Sequence, residues 1–225
     1  MYFAIVCFGQ HVPNSGFSAT LSGQKVTVAD GKGNVVFERI FNDPAEFTVS
    51  LGIDSAQQYV IREKQMHKDL PLYILFLYSL TDSFYVIDSV YSGVYEPAPF
   101  YSEELGRTVL LVGNQDFDSL YSKNEQQNFS AVNCLLFDDG MLYNVNDQVY
   151  DVFLQENEQI VSYIENSWSG SAKDCSVSSE LKSAIGAVYV NYLNAGEKVL
   201  ARQFLDDYYQ CSDKVSFKRF LDSQL

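Results

Sequence analysis

The sequence predicts an α+β protein: a predominantly antiparallel β-sheet N-terminal and central region followed by a helical C-terminal region. Three observations carry that reading. Short runs of alternating or continuous apolar residues, punctuated by glycine and aspartate, dominate residues 17–144. The apolar period changes to that of a helix after Val149, and 16 tyrosines and 16 phenylalanines against one tryptophan favour pleated surfaces, on which rings pack well. At 225 residues and 47% apolar content, the chain has enough apolar material for a substantial core and does not have the composition of a disordered protein. Residues 1–144 are expected to form a β-rich core, with residues 145–225 a helical region packed on it, all within one domain or in two.

Each element has a local reason. Residues 1–9 are apolar without a basic leader, so they read as a first strand rather than an export signal. Strands are expected over 17–21, 25–28 and 35–40. Asp30-Gly-Lys-Gly-Asn34 supplies the positive φ that a hairpin reversal needs; its oxygen ligands are too few for a calcium loop. A further strand is expected over 46–52, and 57–66 fits helix or strand equally. The longest apolar run, 70–80, has the length of a buried strand and is too short to cross a bilayer. With 84–91 it is expected to form a central, deeply buried hairpin. Pro97 and Pro99 then predict a loop or boundary over 95–103.

Two more buried strands follow at 108–112 and 130–137, and Asp138-Asp-Gly140 turns the second into 141–144. Val149, Val152, Phe153, Ile160 and Ile164 share one helical face. So do Leu181, Ile185, Val188, Tyr189 and Tyr192, then Leu200, Phe204, Leu205 and Tyr208, and finally Phe217, Phe220 and Leu221 on a helix starting near Asp213. The stretch from Tyr192 to Arg202 resembles a helix hairpin of the tetratricopeptide type. One such unit is too few to stack into an array, so it reads as an ordinary αα-hairpin and implies no function.

The residues that do chemistry elsewhere are scarce or scattered. Only His11 and His67 are available as histidines, and Cys7, Cys134, Cys175 and Cys211 form no CxxC pair, which argues against a zinc site. Reduced, buried thiols are expected. No GxSxG elbow, GxxxxGK[ST] loop or GxGxxG turn occurs, so no cofactor is expected. The carboxylate pairs Asp116 with Asp118, Asp138 with Asp139 and Asp206 with Asp207 read first as turns and solvated faces, and Asp88 as a hydrogen-bonded structural residue. Trp168 is expected to seal the junction with the helical tail.

Charge is the strongest anomaly. The net charge is −14, and residues 82–166 hold fifteen acids against only Arg107 and Lys123, while the flanking segments nearly balance. Such a field repels nucleic acid and anionic membrane and steers basic proteins inward. The expectation is therefore a cytoplasmic, non-enzymatic binding protein for a basic protein partner. An immunity-type inhibitor of a basic bacterial toxin is its most concrete form, and a mimic of nucleic-acid charge its neighbour. Asp116, Asp118, Asp138, Asp139, Tyr121 and Tyr143 are the expected partner-binding residues. The alternative is a hydrolase whose dispersed carboxylates or cysteine meet only in the fold.

Overall fold

The computed structural model describes residues 10–13, 16–43, 45–50, 57–67, 70–80, 84–115, 117, 129–167 and 179–223. Its class is α+β, with three four-stranded antiparallel sheets and a set of helices in the C-terminal part. The chain divides into two compact units, Met1–Tyr91 with Phe137–Met141, and Ser92–Leu136 with Leu142–Leu225. No helix among the described residues is long and apolar enough to cross a membrane.

The first unit holds two sheets in simple meander order. One runs β1 (Gln10–Pro13), β2 (Phe17–Ser22), β3 (Lys25–Asp30), β4 (Val35–Ile40); the other runs β5 (Ala45–Ser50), β6 (Gln57–His67), β7 (Leu70–Leu80), β8 (Phe84–Gly93). The β3–β4 reversal forms as expected. Asp30 Oδ1 accepts the backbone N–H groups of Lys32 (2.9 Å) and Asn34 (2.8 Å), and Gly33 takes φ 83°. Asn34 Nδ2 also donates to Asp30 Oδ2 (2.9 Å), and this bond first, with the backbone ones, holds the Asp30 carboxyl below the usual range, so turn chemistry accounts for both oxygen-bearing side chains.

Leu21 and Val26 from the first sheet and Phe76 and Tyr78 from the second join one apolar cluster, so each sheet lends a face to the unit's core. The guanidinium of Arg39 lies 3.7 Å from the Phe76 ring centroid and 5.3 Å from that of Phe41, a cation–π seat at the cluster's edge. Glu63 is buried, and its Oε1 accepts the N–H groups of Asn42 (2.8 Å) and Asp43 (3.1 Å), tying the turn after β4 to β6.

Residues 57–66, which fit either element, are strand. The expected deeply buried hairpin is only half realised. Tyr73 and Leu75–Ser79 of β7 are buried, but Tyr85, Val86, Asp88 and Ser89 of β8 are exposed, because β8 is the sheet's edge and has a neighbour on one side alone.

The second unit packs helices on a sheet of order β12 (Met141–Asn144), β11 (Val132–Asp138), β10 (Arg107–Gly113), β9 (Ala98–Ser102). Strand β9 lies inside the stretch predicted as loop. Pro99 is tolerated there because β9 is an edge and its missing N–H removes no bond to a further strand. Helices α1 (Tyr150–Ser167), α2 (Ser179–Asn194), α3 (Lys198–Tyr208) and α4 (Lys214–Asp222) follow.

The α1 stripe is as predicted, with Val149, Val152, Phe153, Ile160 and Ile164 all buried. Each such apolar side chain contributes roughly 1.5–3 kcal/mol relative to an exposed position. Helix α2 is more than a stripe, since Leu181 and Ser183–Asn191 are buried all round it. Small residues permit this. A Cβ on Gly186 would stand 3.0 Å from the Phe117 ring and 3.2 Å from Leu221 of α4. The helix ends in a Schellman turn, with Gly196 at φ 78°, Glu197 N–H donating to Tyr192 C=O (2.8 Å) and Gly196 N–H to Leu193 C=O (3.0 Å). In α3 the predicted stripe is shifted: Leu200 is exposed and Ala201 takes the inward position beside Phe204 and Leu205. Residues 1–9 and Trp168, for which the sequence predicts a first strand and a seal on the helical tail, lie outside the described residues.

Strand β11 shows how the helices grip the sheet. Val132 turns both backbone groups away from β10. Its N–H donates to Asn191 Oδ1 (2.9 Å) and its C=O accepts from Asn194 Nδ2 (3.0 Å), both on α2. Two residues on, Cys134 N–H donates to Asn146 Oδ1 (2.8 Å) and its C=O accepts from Val145 N–H (2.9 Å). Asn191 Nδ2 donates to Asn157 Oδ1 (3.0 Å), and Asn157 Nδ2 to the C=O of Val188 (3.3 Å), so α1 and α2 share the network.

Two substitutions test this arrangement. Gly113 N–H donates to Ser92 Oγ (2.8 Å), and a Cβ on Gly113 would fall 2.1 Å from the Ser92 carbonyl oxygen. Gly113→Ala is expected to lower stability by about 3 kcal/mol through overpacking, read as a reduced urea midpoint. Asn191→Ala strands the Val132 N–H and one side of Asn157. A loss of about 3 kcal/mol is expected, with faster hydrogen exchange at the Val132 amide.

Candidate functional site

Two features among the described residues are candidates for a functional site, both built on α1 in the second unit. The first is its outer face. Asp151, Glu158 and Glu165 lie seven residues apart, close to two helical turns, and all three are exposed together with Gln155 and Ser162. The helix carries four acids and no Lys or Arg. Asp151 suits the first turn, where the helix dipole favours negative charge, but Glu165 sits in the last turn, where a cation is favoured. Glu165 Oε1 accepts the Tyr208 hydroxyl (2.6 Å), a bond that pushes the Tyr208 pKa up to about 12. At the other end Glu104 Oε2 accepts the Tyr150 N–H (3.3 Å), adding a further carboxylate at the helix start.

The second feature is a cleft of about 320 Å³ on the inner side of the same helix, lined by Val94, Tyr95, Glu96, Phe129, Ser130, Glu156, Gln159 and Ile160. The turn at Gly93 (φ 58°) delivers Tyr95, and Ser92 Oγ fixes that turn by donating to the Tyr95 C=O (2.8 Å). Phe129 and Ser130 lead into β11, and the Phe129 ring packs 4.7 Å from that of Tyr163 on α1. Glu156 accepts the Tyr95 hydroxyl.

Burial raises the Glu156 pKa, and the Tyr95 bond offsets this only in part. Burial and the Glu156 charge raise that of Tyr95 in turn. The Cys134 thiol is fully buried behind them, and burial with the same charge pushes it up to about 12, so it is held as a thiol rather than a nucleophilic thiolate.

The residues singled out by sequence fare unevenly. Asp138 and Asp139 are exposed at the β11–β12 turn, where Asp139 takes φ 44° and Gly140 φ 81°, and Tyr143 on β12 is 42% exposed. Asp116, Asp118 and Tyr121 lie outside the described residues, as do Cys7 and Cys175. Asp88 is exposed and accepts the Ser89 N–H (2.7 Å), and Asp206 pairs with Lys214 (2.7 Å). Cys134 and Cys211 are free and buried, as expected. Among the described residues no group of three or more His, Cys, Asp or Glu side chains is placed to hold a metal ion.

Sequence reasoning missed Glu156 and Tyr95, although a signal for Glu156 exists. Glu156 stands four residues after Val152 and four before Ile160, so it interrupts the inward stripe of α1 with a carboxyl. No protein-family model matches this chain, and no curated protein matches it.

The Glu156 environment sets a pH dependence. The folded state holds this proton more tightly than the unfolded chain, whose value is near 4.5. The group's contribution to stability is therefore complete below about 4.5 and is lost as pH rises through the raised folded value. Glu156→Gln keeps a hydrogen-bonding side chain without the ionisation. Its melting temperature relative to the parent protein is expected to improve as pH rises from about 4 to about 8, measured by thermal unfolding across that range.

Proposed function

We propose that this chain is a non-enzymatic binding protein that engages a basic protein partner through exposed carboxylates, with inhibition of a basic toxin as the most concrete form of that role. The observation that carries the reading is the outer face of α1, three exposed carboxylates at seven-residue spacing on a helix without a cation. At 1.5 Å rise per residue they stand about 10 Å apart, close to a Debye length at physiological salt, so each acts as a nearly separate charge for an incoming Lys or Arg. A helix shaped only for its own stability would carry cations in its last turn. Leaving them out costs a few tenths of a kcal/mol and favours a partner that brings its own positive charge. The exposed hairpin residues Asp138, Asp139 and Tyr143 are proposed as further contacts, and Asp116, Asp118 and Tyr121 belong to the same acidic segment of sequence.

Rim charges of this kind act mainly on association rate and salt dependence. The test is affinity capture by the tagged chain from its source-cell lysate at low and high salt, alongside two variants. One carries Asp151→Asn, Glu158→Gln and Glu165→Gln; the other carries Asp138→Asn and Asp139→Asn. A basic partner released by salt and lost with the first variant is the expected outcome. A partner indifferent to salt and to both variants overturns the reading.

A further inference from the structure

We infer that the cleft between Tyr95 and α1 is a binding site for a small organic cation, a primary ammonium or guanidinium group carried on an apolar stem, with Glu156 as its counter-ion. This site uses the inner side of α1, so it stands or falls independently of the outer carboxylate stripe.

Size and lining select the ligand. About 320 Å³ lies at the lower end of the range for small-molecule pockets. Val94, Phe129 and Ile160 supply apolar wall, and among the described lining residues Glu96 and Glu156 are the acids and none is Lys, Arg or His. An anion would meet the acidic side chain of Glu156 in the cleft wall. A wholly neutral, apolar ligand would cover Glu156 and offer its polar side chain no partner. A cation with a short hydrocarbon stem meets both requirements: its head pairs with Glu156, and its stem displaces water from Phe129 and Ile160. The aromatic lining adds to the attraction for positive charge.

The site is tuned for coupling to a proton. The titratable groups that face Glu156 are Tyr95, from the turn after β8, and Cys134, from β11, and Glu96 shares the cleft. Burial keeps Tyr95 and Cys134 protonated, so Glu156 is the group among these three whose charge changes as the cation enters. At a pH where Glu156 carries its proton, the carboxyl releases it to the solvent and retains the electron pair as the ion pair forms. Binding therefore tightens as pH rises through the raised Glu156 value.

The experiment is calorimetric titration of the full chain with n-butylguanidinium and n-butylammonium, with 1-butanol and butyrate as neutral and anionic comparators. Amide shifts at Val94, Phe129 and Ile160 are followed by NMR. Saturable binding of the cations, weakened about tenfold or more in Glu156→Gln, is expected from loss of a charge-assisted bond. Affinity should rise with pH, and the heat should depend on the buffer's ionisation enthalpy. Absence of saturable binding, equal binding of 1-butanol, or undiminished binding by a folded Glu156→Gln protein overturns the proposal. Should that variant fail to fold, cation affinity of the parent protein that does not change with pH overturns it instead.

Discussion

Burying a strand edge without leaving its polar groups unpaired is the constraint on which the second unit depends. At Val132 and Cys134 the outward N–H and C=O groups of β11 are met by helix and turn residues rather than by another strand. An unpaired buried backbone group costs about 1–3 kcal/mol, so four of them would consume much of a domain's marginal stability. Asparagine solves this because its amide presents both a donor and an acceptor and mimics a peptide group. Asn191 accepts from β11 and donates to Asn157, so a single side chain fixes the azimuth of α2 and its contact with α1 together. Apolar packing alone, being non-directional, would permit α2 to rotate or slide; the amides remove that freedom.

The first unit meets the same requirement with charged groups. Glu63 is buried at the turn after β4 and takes two backbone N–H groups on one oxygen, and Asp30 organises the β3–β4 turn in the same manner. Arg39 rests on Phe76 and Phe41 where the sheet faces meet. Backbone donors brought to it compensate the buried Glu63 charge, and ring faces meet Arg39; Asp30 does the same work for its turn in the open.

Periodicity made most of the elements legible, because a strand or helix that buries one face writes that face into the sequence. The α1 stripe and the β3–β4 and β11–β12 reversals are examples. Legibility failed where burial depends on neighbours remote in sequence. The β8 residues Tyr85 and Val86 have the same composition as a core strand, yet β8 lies at an edge. Pro99 looked like a loop marker because only the sheet order shows that β9 has a free side. In α3 Leu200 is exposed and Ala201 buried, an inward position that a stripe read from the large apolar residues alone does not reveal. The site was less legible than the fold. The acidic bias of residues 82–166 was plain, but charge counting cannot separate Glu156, drawn into a cleft, from Glu158, two residues on and exposed.

That separation follows from helix geometry. Two residues on an α-helix differ by about 200° in direction, so Glu156 and Glu158 point to nearly opposite sides. One is desolvated, bonded to Tyr95 and holds its proton more tightly; the other stands in solvent on the outer face. Asn157, between them, turns to the α2 network. Three consecutive side chains thus serve the cleft, the interior and the surface. A change in the rotation of α1 would disturb all three together. The asparagine bonds oppose such a rotation, since turning α1 moves Asn157 away from Asn191. The network that closes the β11 edge therefore also fixes which carboxylates of α1 face water and which face the cleft, and with that the distribution of charge on this part of the molecule.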